Sequence, residues 1–426
     1  MNGPRIERAY MRFPRLDIHE GTVEGVSAQK LLTDFGSPLF VISERILREA
    51  YGMLESALRG AYPRARIAYS YKTNYLPALC AFFKDRGALA EAVSGFEYWL
   101  AKRLGYKGAD IIFNGPHKLD SELAEALSDG CFLNVDNREE LYRVAALAAK
   151  RKMRPRIGIR LNTAFARNGA EPWKRFGFDA GNGEAEDVCR EIVKKFSHLA
   201  LAGLHMHIGT NIREAGVFRS AAAEAADFAL GLKKAFGVEV DYLDMGGGFA
   251  VAGDRLRGSD EGGASPIEEY MQALVAPVLE KLNWQPQLIV EPGRYLVSES
   301  SVLLTTVVSN RKAEKGARVT VDGTISILRE AGFVETVVVA LKPGAGHTPT
   351  TIFGSSCTQY DVLGEAPLPP LERGDIVVLG HAGAYSISRS SQWIFPRPAV
   401  VLIDAEGEFR LVRKREENED LVRLDV

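Results

Sequence analysis

The chain has 426 residues, 46% of them apolar and 25% charged, which is typical of a soluble globular protein with two or three domains. Its 53 lysines and arginines nearly balance 55 aspartates and glutamates, and this net charge of -2 argues against a general nucleic-acid binder. No apolar run is long enough to span a membrane, the N-terminus is unlike a signal peptide, and the four cysteines form no CxxC pair. We therefore expect a cytoplasmic protein with reduced thiols and no nucleic-acid or membrane partner.

Along the first two-thirds of the chain, short β-rich runs alternate with helical stretches such as Ser121–Ser128, Arg138–Arg151 and Arg219–Phe236. Eight such units in series predict a (β/α)₈ TIM barrel, an α/β fold in which catalytic groups gather at the C-terminal ends of the strands. The predicted strands are Arg66–Lys72, Leu89–Ser94, Asp110–Gly115, Phe132–Asn137, Arg156–Asn162, Leu201–Gly209, Tyr242–Gly248 and Gln287–Gly293.

After about residue 297 the pattern changes to short, turn-bounded β-rich segments, which predicts a second, C-terminal β-domain. We assign residues 36–296 to the barrel, and residues 1–35 together with 297–426 to the β-domain. The glycine-rich stretch Gly253–Ser265 is expected to be a barrel loop. The predicted strands of the β-domain are Val302–Ser309, Ala317–Asp322, Val334–Ala340, Asp375–Leu379, Ala399–Asp404 and Phe409–Arg413.

A lysine, Lys72, ends the first predicted strand, after the run Ala-Tyr-Ser-Tyr. An ordinary lysine avoids such a place, because burying an unpaired ammonium is costly. A lysine that forms a Schiff base has a reason to be there, since burial lowers the pKa of an amine and frees its neutral form to attack an aldehyde. The alternative interpretation is a residue at the barrel rim whose ammonium extends to water.

Other strand ends also carry candidate functional residues. His205 and His207 share one face of a strand, which suits a metal site without an evident third ligand, or a flat ring beside a flat cofactor. For His205 the hydrogen-bonded interior histidine is the favoured interpretation. The triplet Gly246–Gly248 offers successive N–H groups to an anion, or simply forms a tight turn. Glu291 would face the barrel mouth and Arg294 would suit a phosphate, although the two residues could also form an ion pair.

These motifs stand in an order that resembles a known family. They run from FGSPLFVISE (35–44) through YSYKTN, AVSGFE, GLHMHIGT, DMGGGF and EPGRY to CTQYD (357–361), GAYS (383–386) and VRKREENEDL (412–421). Nearly the whole chain resembles the pyridoxal-phosphate decarboxylases with an alanine-racemase-like barrel, most closely diaminopimelate decarboxylase and more distantly ornithine decarboxylase. The resemblance implies pyridoxal 5'-phosphate as the cofactor, a small amino acid as the substrate, and a homodimer with shared active sites that the β-domain completes.

The resemblance also implies roles for individual residues. Lys72 matches the Schiff-base lysine, His207 the histidine that stacks on the cofactor ring, and Glu291 the carboxylate that favours a protonated pyridine nitrogen. Cys357 matches a cysteine that comes from the partner subunit and could protonate the carbanion left by decarboxylation. Glu97 matches a barrel acid. The residues that match groups near the phosphate are Thr210, Gly246, Gly247, Gly248 and Tyr385. Arg294 matches an arginine on the phosphate side or the substrate side, and Gly293 is a further cofactor-binding candidate.

The sequence departs from the family where the distal end of the substrate binds. Thr358 stands where diaminopimelate decarboxylases usually have a glutamate for the distal amino group. Arg329 matches an arginine that binds the distal carboxylate, but the proline and tyrosine of that segment are Glu330 and Phe333 here. Losing the anion of a buried pair costs about 2–5 kcal/mol. Either Glu330 supplies the charge, or the substrate lacks a free distal amine, as a modified or carrier-linked amino acid does.

Two other functions remain open. A racemase on this barrel needs a second base, typically a tyrosine, opposite the lysine. The segment CTQYD places Cys357 there, although Tyr360 keeps the racemase as an alternative. A non-catalytic pyridoxal-phosphate protein would resemble the barrel alone, and the presence of Cys357 and Tyr385 on a β-domain argues against it. The resemblance therefore favours a pyridoxal-phosphate-dependent carboxy-lyase.

Overall fold

The computed structural model describes residues 15–19, 21–163, 175–254, 263–342 and 347–426. These residues form two compact units. The β-rich unit contains the described parts of Met1–Tyr51, Val251–Gly262 and Arg294–Val426, and the barrel unit contains those of Gly52–Ala250 and Gly263–Gly293. Most of the predicted loop Gly253–Ser265 lies outside the described residues.

The barrel unit confirms the predicted α/β fold. Its strands are all parallel, and they close into a ring because Phe132–Val135 also pairs with Arg156–Asn162. Buried apolar side chains such as Ala68, Ile112 and Ile289 pack together in its core, as expected for strands that are covered on both faces. Each of the eight strands in the ring overlaps a predicted one, whereas the short strand Phe178–Asp179, which pairs with Arg156–Asn162 in the same sheet, is not predicted. The eight strands are Ala65–Ser70, Leu89–Ala92, Ile111–Phe113, Phe132–Val135, Arg156–Asn162, Ala200–Met206, Tyr242–Asp244 and Gln287–Val290.

Helices alternate with the barrel strands, and each buries one apolar face. Glu184–Lys194 illustrates the pattern, because Ala185, Val188 and Ile192 are buried on one side of it while its first turn is acidic. Among the described helices, none is long and apolar enough to cross a membrane. The helix before the first strand is Glu44–Ala61, and those that follow are Pro77–Lys84, Gly95–Arg103, Asp120–Asp129, Arg138–Lys150, Glu184–Lys194, Ala215–Phe236 and Ile267–Lys281.

The β-rich unit is built around the long strand Ser301–Ala313, which pairs with Gly316–Val321, Ile376–Leu379 and Leu39–Ser43. Two helices of this unit are Ala28–Phe35 and Asn418–Val422. Its strands are Ile18–His19, Thr22–Val23, Val26–Ser27, Leu39–Ser43, Ser301–Ala313, Gly316–Val321, Val338–Ala340, Thr348–Phe353, Val362–Leu368, Ile376–Leu379, Ala399–Ile403 and Phe409–Arg413.

Two strands of this unit, Thr348–Phe353 and Val362–Leu368, are not predicted by the sequence. They pair with each other, and Pro349 lies directly opposite Pro367. Proline removes a ladder hydrogen bond and interrupts the apolar pattern of a strand, so a proline in each run conceals both strands from sequence analysis.

The strand Leu39–Ser43 also shifts the first domain boundary. Val41 pairs with Val302 on one side and with Val401 on the other, in the middle of the β-rich sheet. Leu16 and Leu31 belong to the same apolar cluster, so the described residues near the N-terminus do join this unit. The boundary therefore falls after residue 51 and not after residue 35, because the partners of this strand lie in the C-terminal third of the chain.

Candidate active site

Lys72 lies just beyond the first barrel strand, in the short 3₁₀ turn Tyr71–Thr73. Its Nζ donates a 2.5 Å hydrogen bond to Oε2 of Glu91, whose side chain is 1% exposed, while the side chain of Lys72 stays 30% exposed. The hydroxyl of Ser70 donates to the same carboxylate oxygen at 2.6 Å. A buried acid thus fixes a lysine amine that remains accessible. Glu91 is not predicted from the sequence, where its one signal is an acid within the short apolar run that becomes the buried strand Leu89–Ala92.

Glu291 lies directly after the last barrel strand and is 3% exposed. Nδ2 of Asn114 donates to its Oε1 at 2.6 Å, and Nε2 of His205 lies 3.5 Å from its Oε2. Burial alone would raise the pKa of Glu291, but the interactions with His205 and Lys72 outweigh burial and hold that pKa well below its ordinary value. Glu291 is therefore an ionised carboxylate in the interior of the barrel.

A second acid, Asp244, lies beside Glu291. Burial, together with repulsion from Glu291, raises the pKa of Asp244 far above its ordinary value, so Asp244 keeps a proton while Glu291 is ionised. Possible ligand atoms of His205, Asp244 and Glu291 lie within 4.8 Å of one another. The fold thus supplies two neighbours for His205 that the sequence does not reveal. The two acids and the histidine thus form one buried polar group in the barrel.

His207 follows the sixth strand, and its imidazole is neutral. Burial, followed by the positive charges of Lys72 and Arg160, lowers its pKa to about 3. The backbone amide of Gly247 donates to Nδ1 at 3.3 Å, which leaves the ring proton on Nε2. A neutral, flat ring held at one edge can stack against another flat ring without electrostatic cost.

The glycine triplet follows the seventh strand, and the local geometry requires glycine at each position. Gly246 and Gly248 have φ angles of 63° and 99°, which disfavour any side chain. A Cβ on Gly247 would lie 2.1 Å from the carbonyl oxygen of Glu291, and one on Gly248 would lie 2.3 Å from that of Gly209. Any substitution would therefore push apart the loops that carry the acid and the histidine.

The other predicted barrel residues lie next to these loops. The Cα of Thr210 is 3.7 Å from the place that a Cβ of Gly248 would occupy, and a Cβ on Gly293 would lie 2.0 Å from Oγ1 of Thr73. The amide of Gly246 donates to Oδ1 of Asp244, and that of Gly247 donates to His207 as described above. The triplet thus positions side chains of the site, and its predicted contact with a phosphate stays a prediction.

In the β-rich unit, Arg294 is buried within a network of ion pairs. Its two Nη atoms donate to Oδ2 of Asp254 at 2.9 Å and to Oε2 of Glu330 at 2.8 Å. Arg389 lies 3.6 Å from the other oxygen of Glu330, and the guanidinium of Arg294 lies 5.3 Å from the ring centroid of Tyr385. The structure brings together three predicted residues, and the unpredicted Asp254 joins them. Because both oxygens of Glu330 face arginines, its charge is already compensated.

Cys357 lies in the turn that connects Thr348–Phe353 with Val362–Leu368, and it is exposed. The carboxylate of Asp361 stabilises this turn by accepting hydrogen bonds from the backbone amides of Ser356 at 2.9 Å and Ile325 at 2.7 Å. Thr358 and Arg329 are both partly buried in the same unit. The substrate-binding roles of Arg329, Thr358 and Glu330 stay predictions.

Comparison with known proteins decides the family. The family model for the pyridoxal binding domain of pyridoxal-dependent decarboxylases matches residues 53–298. The chain belongs to the pyridoxal-dependent decarboxylases. Diaminopimelate decarboxylases from Methanothermobacter thermautotrophicus and Aquifex aeolicus are each 30% identical to it, over 96% and 97% of this chain and 97% and 98% of theirs. The crystal structure of diaminopimelate decarboxylase from M. jannaschii covers 98% of both chains with a TM-score of 0.88 and 25% identity.

This decarboxylase is a pyridoxal-phosphate-dependent carboxy-lyase, and its barrel residues fit the cofactor. Lys72 offers an amine for an aldehyde, Glu291 offers an ionised carboxylate for a basic ring nitrogen, and His207 offers a neutral ring for stacking. The three side chains stand at the C-terminal ends of their strands, which is where a barrel of this type binds its ligands.

Glu97 of the decarboxylase has a structural role that predicts a pH effect. Its Oε2 accepts a hydrogen bond from the amide of Val93 at 2.7 Å, at the start of the helix Gly95–Arg103. Burial, opposed by the Val93 amide, raises its pKa from 4.5 to about 7. Between those pH values the folded chain binds more protons than the unfolded chain, so stability declines as the pH rises through this window.

Glu97→Gln keeps an acceptor oxygen and cannot ionise. We expect this variant to be more stable than the wild type at pH 8, by about 1–3 kcal/mol, and the difference to vanish near pH 4. Urea unfolding at several pH values measures the effect. A difference that stays constant with pH would show that the ionisation of Glu97 carries no penalty in the folded state.

Proposed function

We propose that the chain removes the α-carboxyl group of an amino acid of the diaminopimelate type, whose distal group is not a free ammonium. The similarity to diaminopimelate decarboxylases over nearly the full length of both proteins carries this proposal. A crystal structure of the relative from M. jannaschii contains L-lysine, so that protein binds a small amino acid. The distal group differs because Thr358 has no charge and Glu330 is paired with arginines.

The chain's own residues prepare the reaction. Glu91 holds the amine of Lys72 at the barrel mouth, and the ionised Glu291 favours a positive charge on any ring nitrogen beside it. When bound, pyridoxal phosphate supplies an electron sink for the electron pair left behind by carbon dioxide. The neutral His207 adds no positive charge of its own, and the glycine triplet keeps its ring in place.

A decarboxylation screen tests the substrate. The holoprotein is incubated with meso-diaminopimelate, lysine, ornithine, arginine, glutamate derivatives and amino acids of this type whose distal nitrogen is acylated. Released carbon dioxide is measured together with optical rotation. We expect carbon dioxide from a substrate whose distal nitrogen is acylated or absent, at a kcat/KM at least about tenfold above that for meso-diaminopimelate. Preference for meso-diaminopimelate would refute the altered distal pocket. A change of rotation without carbon dioxide would favour the racemase.

We propose further that the active unit is a homodimer in which Cys357 of one chain serves the site of the other. The exposure of this thiol supports the proposal. Mixing inactive Lys72→Ala and Cys357→Ala chains under conditions of subunit exchange should restore about a quarter of the wild-type activity, because half of the dimers are mixed and each of these has one complete site. Mixed dimers without activity would indicate sites built within one chain. The cytoplasmic location stays a prediction.

A further inference from the structure

A chain of buried polar groups runs through the barrel to the two acids of the site. The hydroxyl of Tyr242 donates to Oδ1 of Asn134 at 2.7 Å, and Nδ2 of Asn134 donates to Oδ1 of Asn114 at 2.9 Å. Nδ2 of Asn114 then donates to Glu291 at 2.6 Å and to Glu91 at 3.1 Å. We call Tyr242, Asn134 and Asn114 the amide chain.

The amide chain has a defined direction. Burial raises the pKa of Tyr242 well above its ordinary value, so its hydroxyl keeps the proton that it donates. This donation fixes the carbonyl of Asn134, and the amide of Asn134 in turn fixes the carbonyl of Asn114. The amide nitrogen of Asn114 must then face the two carboxylates. Tyr242, on the opposite side of the barrel core, thereby sets the orientation of the Asn114 side chain at the site.

Two glycines on neighbouring strands make room for the amide chain. A Cβ on Gly158 would lie 2.2 Å from Oδ1 of Asn134 and 2.2 Å from the hydroxyl oxygen of Tyr242. A Cβ on Gly203 would lie 2.1 Å from a ring carbon of Tyr242. The barrel thus gives up two side chains in its core to admit three polar residues, each at most 4% exposed. If the three residues of the amide chain only filled space, apolar residues would serve equally well, because they need no hydrogen-bond partners.

The amide chain ends at Glu91 and Glu291, the two carboxylates that the proposed function uses. This end point suggests its role. We propose that Asn114 is a positioning residue that holds the carboxylates of Glu91 and Glu291 at a fixed separation. Glu91, which binds the amine of Lys72, and Glu291, which would face the ring nitrogen of the cofactor, then act from fixed positions. This inference rests on the proposed function and extends it to a residue that would touch neither cofactor nor substrate. Other titratable groups that face the two carboxylates are Lys72, Glu97, Arg160, His205, His207 and Asp244.

Asn114→Leu tests the proposal, since leucine has the same branched side-chain shape and no donor. In holoprotein reconstituted with pyridoxal 5'-phosphate, we expect the dissociation constant of the cofactor to rise by roughly tenfold or more. The midpoint of the pH titration of the cofactor absorbance should fall by about one unit, because both carboxylates that favour positive charge lose their fixed positions. Tyr242→Phe removes only the hydroxyl that orients the chain, and it should shift the midpoint in the same direction by less.

Tyr62→Phe is the matched control. It removes another buried hydroxyl of the same unit, which donates to the carbonyl of Pro286 at 2.8 Å, and it should leave both measurements unchanged. If both Asn114→Leu and Tyr242→Phe bind the cofactor and titrate like this control, the positioning role is wrong. Tyr242→Phe alone decides the matter if Asn114→Leu does not fold. A wild-type chain that binds no cofactor would instead overturn the proposed function, and the inference with it.

Discussion

Replacing Lys72 by alanine should abolish covalent attachment of pyridoxal phosphate and lower kcat by roughly a thousandfold or more. The lysine amine is fixed by a 2.5 Å hydrogen bond to a buried carboxylate and is still accessible, and this combination suits a nucleophile. Lys118, another lysine of the barrel, cannot replace it because its side chain is fully buried and engaged by acceptors on three residues. Mass spectrometry after borohydride reduction locates the attachment.

The matched control for this experiment is Lys150→Ala, which removes an exposed lysine at the end of the helix Arg138–Lys150. It should keep both the absorbance of the bound cofactor and the reducible link. The Lys72→Ala chain should still fold, because Glu91 retains hydrogen bonds from Ser70 and Asn114. A reduced Lys72→Ala protein that carries the cofactor on another lysine would contradict the assignment.

The barrel could be predicted because each strand is a short apolar run that needs no knowledge of its partners. Lys72, His207, Glu291 and the glycine triplet could be predicted because they stand at the ends of those runs. Glu91 could not, since a single polar residue within a strand is also typical of a solvent-facing position. Asn114 stands at a strand end as well, but the sequence does not indicate its hydrogen-bond partners. Their role depends on which strands become neighbours and in which register, and that is decided only when the ring closes.

The same limit applies to the β-rich unit. Leu39–Ser43 is an apolar run ahead of a helix, and from the sequence it fits the barrel equally well. Its pairing with Ser301–Ala313 and Ala399–Ile403 depends on contacts between distant parts of the chain. Glu330 shows the consequence for function. From the sequence, Glu330 is a candidate for supplying the distal charge, and this role stays a prediction. Its ion pairs with Arg294 and the half-exposed Arg389 are visible only in the fold.

The largest effect on stability is expected from Lys118→Met. Nζ of Lys118 donates to Oε1 of Glu140 at 2.8 Å and to the carbonyl oxygens of Gly115 at 2.8 Å and Asn134 at 3.2 Å. The other oxygen of Glu140 accepts a hydrogen bond from the amide of Asp136 at 2.8 Å. One ammonium thus joins the loop after the third strand, the fourth strand and the helix that follows it.

Removing this ammonium leaves the carboxylate of Glu140 buried without its counterion, so the free energy of unfolding should fall by about 3–5 kcal/mol. Urea unfolding of the apo chain measures the loss. Lys118→Met combined with Glu140→Gln should recover part of it, because no buried charge is then left uncompensated. The control is Arg190, which forms exposed ion pairs with Glu186, at 2.8 Å, and with Asp187: Arg190→Ala should cost only about 0.2–1 kcal/mol. Equal losses of unfolding free energy for Lys118→Met and Arg190→Ala would show that the ammonium of Lys118 does not hold these three elements together.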